Sequence, residues 1–128
     1  MTRTLVHTDN APAAVGPYSQ AIRVGDFLYT SGQIAIDPSV GAMIDGDVSA
    51  QTEQVLRNLR AVLEAGGSSM ERVIKTTVFM TTMDHYKAIN VVYGEHFATG
   101  RPARSAVAVS QLPLGALVEI EAVAYCGE

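Results

Sequence analysis

The sequence contains very little cysteine, and this limits both its covalent chemistry and its metal chemistry. Cys126 is the only cysteine among 128 residues, and it lies near the C-terminus. No disulfide can form within the chain, and no cluster of thiolate ligands can be built. The three histidines, His7, His85 and His96, do not have the spacing of metal ligands. We therefore expect no metal site, and the cytoplasm is the compartment that fits best.

Long apolar runs and blocks of like charge are also missing. Nowhere do about 18 apolar residues follow one another, and the N-terminal segment lacks the apolar run and cleavage site of a signal peptide. The formal net charge of −4 comes from interspersed charges, so no basic surface for nucleic acid or membranes is expected. Phosphate-binding loops, dinucleotide-binding fingerprints and the Gly-x-Ser-x-Gly elbow are absent. The sequence predicts neither a membrane partner nor a nucleic-acid partner.

What is present is enough apolar material for one globular core. The chain is 48% hydrophobic, and its length leaves no room for two independent cores, so residues 1–128 are predicted to form a single domain. A stripe of apolar residues at helical spacing runs from Val48 to Leu63, after Asp47 as a possible N-cap and before a Gly66-Gly67 stop. A second helix is predicted from about Asp84 to a point before Gly100.

Segments rich in β-branched and aromatic residues predict the strands. They span residues 5–7, 21–24, 27–36, 72–80, 105–109 and 117–125, with a tight turn at residues 25–26. The order is strands, helix, strand, helix, strands. This order predicts an α+β fold in which two helices cover one face of a single sheet.

The last predicted strand indicates that the other face of the sheet is covered as well. Its alternation places small apolar residues on one face, at positions 118, 120, 122 and 124. The opposite face mixes large apolar groups with two carboxylates: Leu117, Glu119, Glu121, Val123 and Tyr125. No third helix is left to cover that face, so the pattern predicts an oligomer.

Arg104 is the first candidate for a functional residue. It follows Pro102 and lies at the start of a predicted strand. Its planar guanidinium can bind a carboxylate through two parallel charge-assisted hydrogen bonds. An ion pair with Glu119 or Glu121 from a neighbouring strand explains the arginine equally well. The residues alone leave both interpretations open.

Glu119 and Glu121 share one face of the last predicted strand. Because their carboxylates are close enough to repel each other, partial burial could raise one pKa toward the range of a general base. Most pairs of this kind are simply solvated or bound to cations. The pair by itself favours that simpler interpretation.

Four further residues have ambiguous roles. Asn90 falls on the apolar side of the second predicted helix, where its amide needs a partner from a strand or from a ligand. Gly32 interrupts a strand and indicates either a bulge or a close approach to the backbone, and Ser31 adds a hydroxyl beside it. Tyr18 follows Gly16-Pro17 in a rigid loop, where its phenol either caps the core or bonds to a ligand.

Five segments, taken in order, resemble the motifs of the reactive-intermediate deaminase (RidA) family. They are Gly16-Pro17-Tyr18-Ser19-Gln20-Ala21, Thr30-Ser31-Gly32-Gln33-Ile34, Lys75-Thr76-Thr77-Val78-Phe79, Pro102-Ala103-Arg104-Ser105 and Val118-Glu119-Ile120-Glu121. Their order and spacing are highly specific, and the resemblance covers nearly the whole chain. It implies a chorismate-mutase-like fold, with a six-stranded mixed sheet and two helices packed on one face. It also implies a homotrimer with an active site in each cleft between subunits.

The resemblance further implies an activity and the residues that perform it. In the family, the arginine matching Arg104 binds the substrate carboxylate, and the glutamate matching Glu119 orients or activates the attacking water. The implied reaction converts short 2-imino acids, such as 2-iminopropanoate and 2-iminobutanoate, to 2-oxo acids and ammonia, without a metal or organic cofactor. The residues that line the same pocket match Tyr18, Ser31, Gly32 and Asn90.

The chain departs from a frequent family pattern at Ala106. Many members have a cysteine there, two residues after the arginine. The family mechanism uses the backbone carbonyl at this position, which alanine also supplies, so Ala106 counts among the expected substrate-binding residues. A role for a thiol at this position is excluded.

Two other functions remain open. Some relatives are described as endoribonucleases or translation inhibitors, although the acidic composition argues against RNA binding. Alternatively, the same cleft holds a 2-oxo acid as a regulatory signal, or the protein is a chaperone-like module without turnover. The presence of both Arg104 and Glu119 favours catalysis, because ligand binding alone needs only the arginine.

Overall fold

The structure, a computed structural model, describes residues 2–128 and contains one large sheet and one small sheet. The large sheet has six strands: β1 (Arg3–Val6), β2 (Ala21–Val24), β3 (Phe27–Thr30), β6 (Val73–Met80), β7 (Ala103–Ala108) and β8 (Val118–Tyr125). The small sheet pairs β4 (Ile36–Asp37) with β5 (Ala42–Met43). The large sheet has the strand order β1-β2-β3-β8-β6-β7, and only β6 and β7 are parallel. The predicted mixed sheet of six strands is confirmed.

Two helices, α1 (Val48–Ala65) and α2 (Tyr86–His96), pack on one face of this sheet. The predicted N-cap of α1 is confirmed, since the Asp47 side chain accepts a hydrogen bond of 2.9 Å from the backbone nitrogen of Ala50. The predicted stop is also confirmed, because Gly66 caps the C-terminal end. Helix α2 begins slightly later than predicted, after a short 3₁₀ turn at Met83–His85.

Strand β3 ends at Thr30, so the prediction of one strand over residues 27–36 is wrong. Beyond Thr30 the backbone leaves β8 and returns only at Gln33, which exchanges two backbone hydrogen bonds with Ile120. Ile36 then begins the separate small sheet. Gly32 lies in this interruption, and the Glu119 side chain takes the space beside its backbone.

The two faces of the large sheet differ as the alternation in β8 predicted. Val118, Ile120, Ala122 and Ala124 are buried beneath the helices. On the other face, Phe27 and Tyr29 are exposed by 43% and 50%. We call this uncovered face of the sheet the open face. The two aromatic rings give this face an exposed apolar surface.

Leu117 does not belong to the open face, and its predicted position there is wrong. It precedes β8 and packs against the buried core. Its backbone nitrogen donates a hydrogen bond of 2.9 Å to the side chain of Gln51 in α1. The strict alternation therefore begins only at Val118.

Candidate functional site

Arg104 lies near the start of β7 and its side chain points toward α2. Its Nη1 donates a hydrogen bond of 2.7 Å to Asn90 Oδ1, and its Nη2 donates one of 3.0 Å to the Tyr86 hydroxyl. Its Cζ lies 4.8 Å from the centre of the Tyr93 ring, a cation–π contact. All three partners are neutral, and no carboxylate in residues 2–128 forms an ion pair with this guanidinium. The remaining N–H donors of Arg104 are available to another molecule.

An ion pair of Arg104 with Glu119 or Glu121, which the sequence left open, is wrong. Strand β6 lies between β7 and β8, so the arginine and the two glutamates are not on neighbouring strands. Arg104 is in register with Thr76, which is in register with Ala122 on the helix-covered face. Residues in register project to the same face, whereas Glu119 and Glu121 project to the open face.

Two tyrosines of α2 hold Arg104 in place, and sequence reasoning missed their role. The hydroxyl groups of Tyr93 and Thr76 share a hydrogen bond of 2.6 Å. Burial raises the pKa of the Tyr93 phenol, so this ring stays neutral beneath the guanidinium. The regular recurrence of Tyr86, Asn90 and Tyr93 was visible in the sequence. It signalled a helix face, but not that the face would meet an arginine.

A pocket of about 440 Å³ opens beside this arginine. We call it the arginine pocket. It lies between α2 and the loop that leads into β7, and its lining includes Asn90, Tyr93, Phe97, Arg101, Pro102 and Arg104. Its walls are thus aromatic and cationic. This chemistry suits a small anion with an apolar part.

Glu119 occupies the open face of the same sheet. Burial, and to a smaller extent the charge of Glu121, raise the pKa of the Glu119 carboxyl. In residues 2–128 this carboxyl has no hydrogen-bond partner. A half-buried carboxylate without a partner has the properties of a general base. A second pocket of about 390 Å³, the carboxylate pocket, has a lining that includes Tyr18, Gln20, Gly32, Gln33, Leu114 and Glu119.

Gly32 lets the Glu119 carboxyl lie directly against the backbone. A Cβ atom on Gly32 would lie 2.5 Å from Oε2 and 2.7 Å from Cδ of Glu119. These distances are far below van der Waals contact. Of the two interpretations that the sequence left open for this glycine, close approach explains it.

Replacing Gly32 with alanine is expected to displace the Glu119 carboxyl, because the added methyl group would occupy its position. We expect about a tenfold loss in any activity that depends on Glu119, since misplacing a reacting group by about 1 Å has costs of this order or larger. Thermal unfolding monitored by circular dichroism would show whether the fold is retained. Unchanged activity in the folded variant would contradict the role of this contact.

The loop around Tyr18 is fixed by the buried Gln20. The Gln20 amide donates a hydrogen bond of 2.8 Å to the carbonyl of Pro12 and accepts one of 2.7 Å from the backbone of Thr8. The Ser31 hydroxyl donates a hydrogen bond of 2.6 Å to the carbonyl of residue 19, which joins the loop to the end of β3. Tyr18 itself remains 52% exposed, so its phenol can contact another molecule.

The predicted site residues therefore form two separate groups within one chain. Arg104, Asn90 and Ala106 lie on or next to the helix-covered face at the edge strand β7. The others, which are Tyr18, Ser31, Gly32 and Glu119, lie around the open face and the loop beside it. Because the sheet lies between the two groups, one chain cannot bring both to the same small molecule.

Two kinds of feature are missing from the part of the chain that the structure describes. No three or more His, Cys, Asp or Glu side chains of residues 2–128 are arranged to hold a metal ion. In the same residues, no helix has the length and apolar character that crossing a membrane requires.

Comparison with known proteins places this arrangement in a family. A family model described as Endoribonuclease L-PSP matches residues 8–126. The chain belongs to this family, the RidA or RutC family. A RutC family protein of Pyrococcus horikoshii is 50% identical over 123 residues, which are 96% of this chain and 98% of that protein.

A relative with a named activity and a solved structure extend the comparison. The human 2-iminobutanoate/2-iminopropanoate deaminase is 41% identical over 127 residues, which are 99% of this chain and 93% of that protein. The crystal structure of a candidate endoribonuclease from Thermotoga maritima is 51% identical, with a TM-score of 0.95 and coverage of 98% of both chains. The fold expected from the resemblance is therefore confirmed, and the family contains mammalian proteins named as imine deaminases.

Proposed function

We propose that the protein hydrolyses short 2-imino acids, such as 2-iminopropanoate and 2-iminobutanoate, to 2-oxo acids and ammonia. The observation that carries this proposal is the fixed guanidinium of Arg104, which only neutral groups hold. A half-buried arginine without an anionic partner is a receptor for a carboxylate, because its planar fork matches that group. The human relative, named a 2-iminobutanoate/2-iminopropanoate deaminase, supports the choice of substrate.

The site that we propose is shared between two copies of the chain. Arg104 and Glu119 face opposite sides of one sheet, so they can contact one substrate only if they come from different subunits. The apolar open face, which includes Phe27 and Tyr29, is suited to be buried against neighbouring copies. The assembly that fits the family resemblance is a homotrimer with three clefts between subunits.

In the proposed mechanism, the substrate carboxylate binds Arg104, beside Asn90 and the backbone carbonyl of Ala106. Glu119 of the neighbouring copy holds a water near the C=N carbon and accepts its proton as the C–O bond forms. The nitrogen takes up protons, the C–N bond of the carbinolamine breaks, and ammonia leaves as the C=O bond forms. Positioning the two reactants replaces much of the entropic cost of their encounter.

Three residues on the side of Glu119 complete the proposed cleft. We assign Tyr18, Ser31 and Gly32 to substrate binding around the imine, with the exposed Tyr18 phenol as a hydrogen-bond donor. The mechanism uses neither a metal nor an organic cofactor, and it involves no redox step. The cytoplasm is the location that we propose, because a chain with a lone cysteine suits a reducing compartment.

Replacing Tyr86 with phenylalanine is expected to weaken substrate binding without affecting the fold. The ring stays, but the hydroxyl that accepts a hydrogen bond from Arg104 Nη2 is lost. We expect KM to rise about three- to tenfold with kcat nearly unchanged, since a hydrogen bond to a charged group contributes about 1.5–3 kcal/mol in buried settings and less when exposed. A fall in kcat of about three- to tenfold, with an unchanged KM, would contradict this role.

A coupled assay tests the proposed function directly. A dehydratase acting on serine or threonine generates 2-aminoacrylate or 2-aminocrotonate, which tautomerise to the two imines, and their decay is followed with and without the protein. Faster hydrolysis that is lost in Arg104→Ala supports the deaminase. No acceleration by the wild type contradicts it.

Other activities are distinguished by additional measurements. Binding of 2-oxobutanoate without any acceleration of imine decay would indicate a regulatory, metabolite-binding module. Suppressed aggregation of an unfolded client, without imine turnover, would indicate a chaperone-like surface. The family description also mentions endoribonuclease activity. Cleavage of RNA with salt-dependent binding would support that activity, although the net charge of −4 disfavours it.

A further inference from the structure

A second guanidinium lines the arginine pocket, and the proposed mechanism does not use it. Arg101 is exposed and lies in the loop between α2 and β7. Within residues 2–128 it makes no ion pair and no side-chain hydrogen bond. It is thus a free cation at the wall of a pocket that already contains Arg104.

The backbone at Arg101 is in an unfavourable conformation. Its φ is +38°, and within residues 2–128 only Leu114 is another non-glycine residue with positive φ. Positive φ costs a side chain about 1 kcal/mol or more relative to glycine. Glycine would relieve this strain, and within residues 2–128 the arginine makes no ion pair or side-chain hydrogen bond that would offset it. Its guanidinium is therefore available for a contact with another molecule.

The charge of the arginine pocket is opposite to that of the whole chain. The protein has a formal net charge of −4, yet the lining includes two guanidiniums and no carboxylate. Two like charges in one concave pocket repel each other in the absence of a ligand and attract an anion of matching charge. A singly charged imino acid would neutralise only one of them.

The two arginines are three residues apart in the chain, which favours a short ligand. Three residues of chain span at most about 10–11 Å, so the two arginines that line the pocket are close neighbours along its wall. Because both side chains have several rotatable bonds, the two carboxylates of a chain of four or five carbons can each reach one guanidinium. The aromatic rings of Tyr93 and Phe97 line the pocket and can pack against the methylene groups between the carboxylates.

We propose that Arg101 makes the site selective for 2-imino acids that carry a second carboxylate on the side chain. Arg104 binds the carboxylate next to the imine, and Arg101 binds the distal one. The reaction follows the same steps as for the short substrates. Water adds to the C=N carbon, ammonia leaves and a 2-oxo dicarboxylate is formed. This inference rests on the proposed imine hydrolysis for its reaction, but its ligand class can be tested without turnover.

The test compares two imines generated in situ by amino-acid oxidases. Aspartate yields 2-iminosuccinate and 2-aminobutanoate yields 2-iminobutanoate, and semicarbazide traps whatever imine the protein has not hydrolysed. In Arg101→Gln, we expect kcat/KM to fall about tenfold for 2-iminosuccinate and to change less than about twofold for 2-iminobutanoate. Arg101→Lys, which retains a charge, is expected to recover most of the loss.

The matched control is Arg60→Gln, which removes the guanidinium of another exposed arginine, in α1 and outside the arginine pocket. It should leave both kcat/KM values unchanged. An equal fall for both imines in Arg101→Gln, or no fall for either, would overturn the proposed selectivity. So would a fall of the same size in Arg60→Gln.

Calorimetry with the 2-oxo acid products, with the dicarboxylate freshly dissolved, separates this inference from the proposed function. Wild-type protein should bind 2-oxosuccinate about tenfold more tightly than 2-oxobutanoate, and Arg101→Gln should abolish the difference. If neither imine is hydrolysed but this binding difference is found, the proposed function fails and the ligand class stands. If 2-iminobutanoate is hydrolysed and the binding difference is missing, the function stands and the inference fails.

Discussion

Replacing Arg104 with alanine is expected to lower kcat/KM for 2-iminopropanoate by about 10²–10³-fold, because losing one partner of a hydrogen-bonded charge pair costs about 2–5 kcal/mol. The effect should be large because the groups that hold Arg104 cannot replace its guanidinium. Asn90, Tyr86 and Tyr93 orient it but carry no charge. Steady-state kinetics with the dehydratase-coupled assay measures the loss.

Replacing Arg104 with lysine distinguishes the contribution of the positive charge to activity from that of the planar guanidinium shape. Arg104→Lys keeps a cation but loses the planar fork, so we expect it to recover only part of the activity. Arg60→Ala, an exposed arginine of α1, is the matched control and should behave as wild type. If Arg104→Ala retained activity within about threefold of wild type, the carboxylate would have to bind elsewhere.

Replacing Glu119 with glutamine is expected to reduce kcat by about 10²–10³-fold, which is the range typical of a missing general base. Glutamine keeps the shape of the side chain but cannot accept the proton of water. Binding of 2-oxobutanoate, measured by calorimetry, should persist because Arg104 is unchanged. A loss of binding with an unchanged kcat would contradict the assignment.

The pH dependence of kcat follows from the raised pKa of the Glu119 carboxyl. A base must be ionised to act, so activity should fall as the pH drops through that raised pKa, which lies above the usual range of glutamate. The exposed Glu121 adds to the shift through its charge. Glu121→Gln should therefore lower the pKa of Glu119 and extend activity to lower pH, with little change in kcat at neutral pH.

The elements that the sequence predicted well are those determined by local residues. Helix α1 could be predicted because its cap at Asp47, its apolar stripe and its stop at Gly66 all lie within the segment itself. The end of β3 could not be predicted in this way. The segment that follows β3 lies against Glu119, which is almost ninety positions along the chain from Gly32 and approaches it only after folding.

The candidate site shows the same limit of sequence reasoning. Arg104 and Glu119 could be identified from the sequence, but their relative position depends on β6 lying between β7 and β8. Alternation within a strand tells which residues share a face of that strand, but not which face of the sheet this is. The contacts of Tyr86 and Tyr93 with Arg104 likewise depend on how α2 packs against the sheet.

The central claim is that each site takes Arg104 from one copy and Glu119 from another. Co-expressing Arg104→Ala with Glu119→Gln tests it most directly, because each variant retains the residue that the other lacks. In randomly mixed trimers, about half of the sites have an intact Arg104, and about half of these also receive an intact Glu119 from the neighbouring copy. About one site in four therefore contains both intact residues.

The measurement is the imine-hydrolysis activity of mixed oligomers, whose composition is verified by native mass spectrometry. The shared site predicts recovery of about a quarter of wild-type activity, far above the sum of the two variants alone. Mixed oligomers with no more activity than that sum would contradict the claim, and would mean that no catalytic site combines the two residues across subunits.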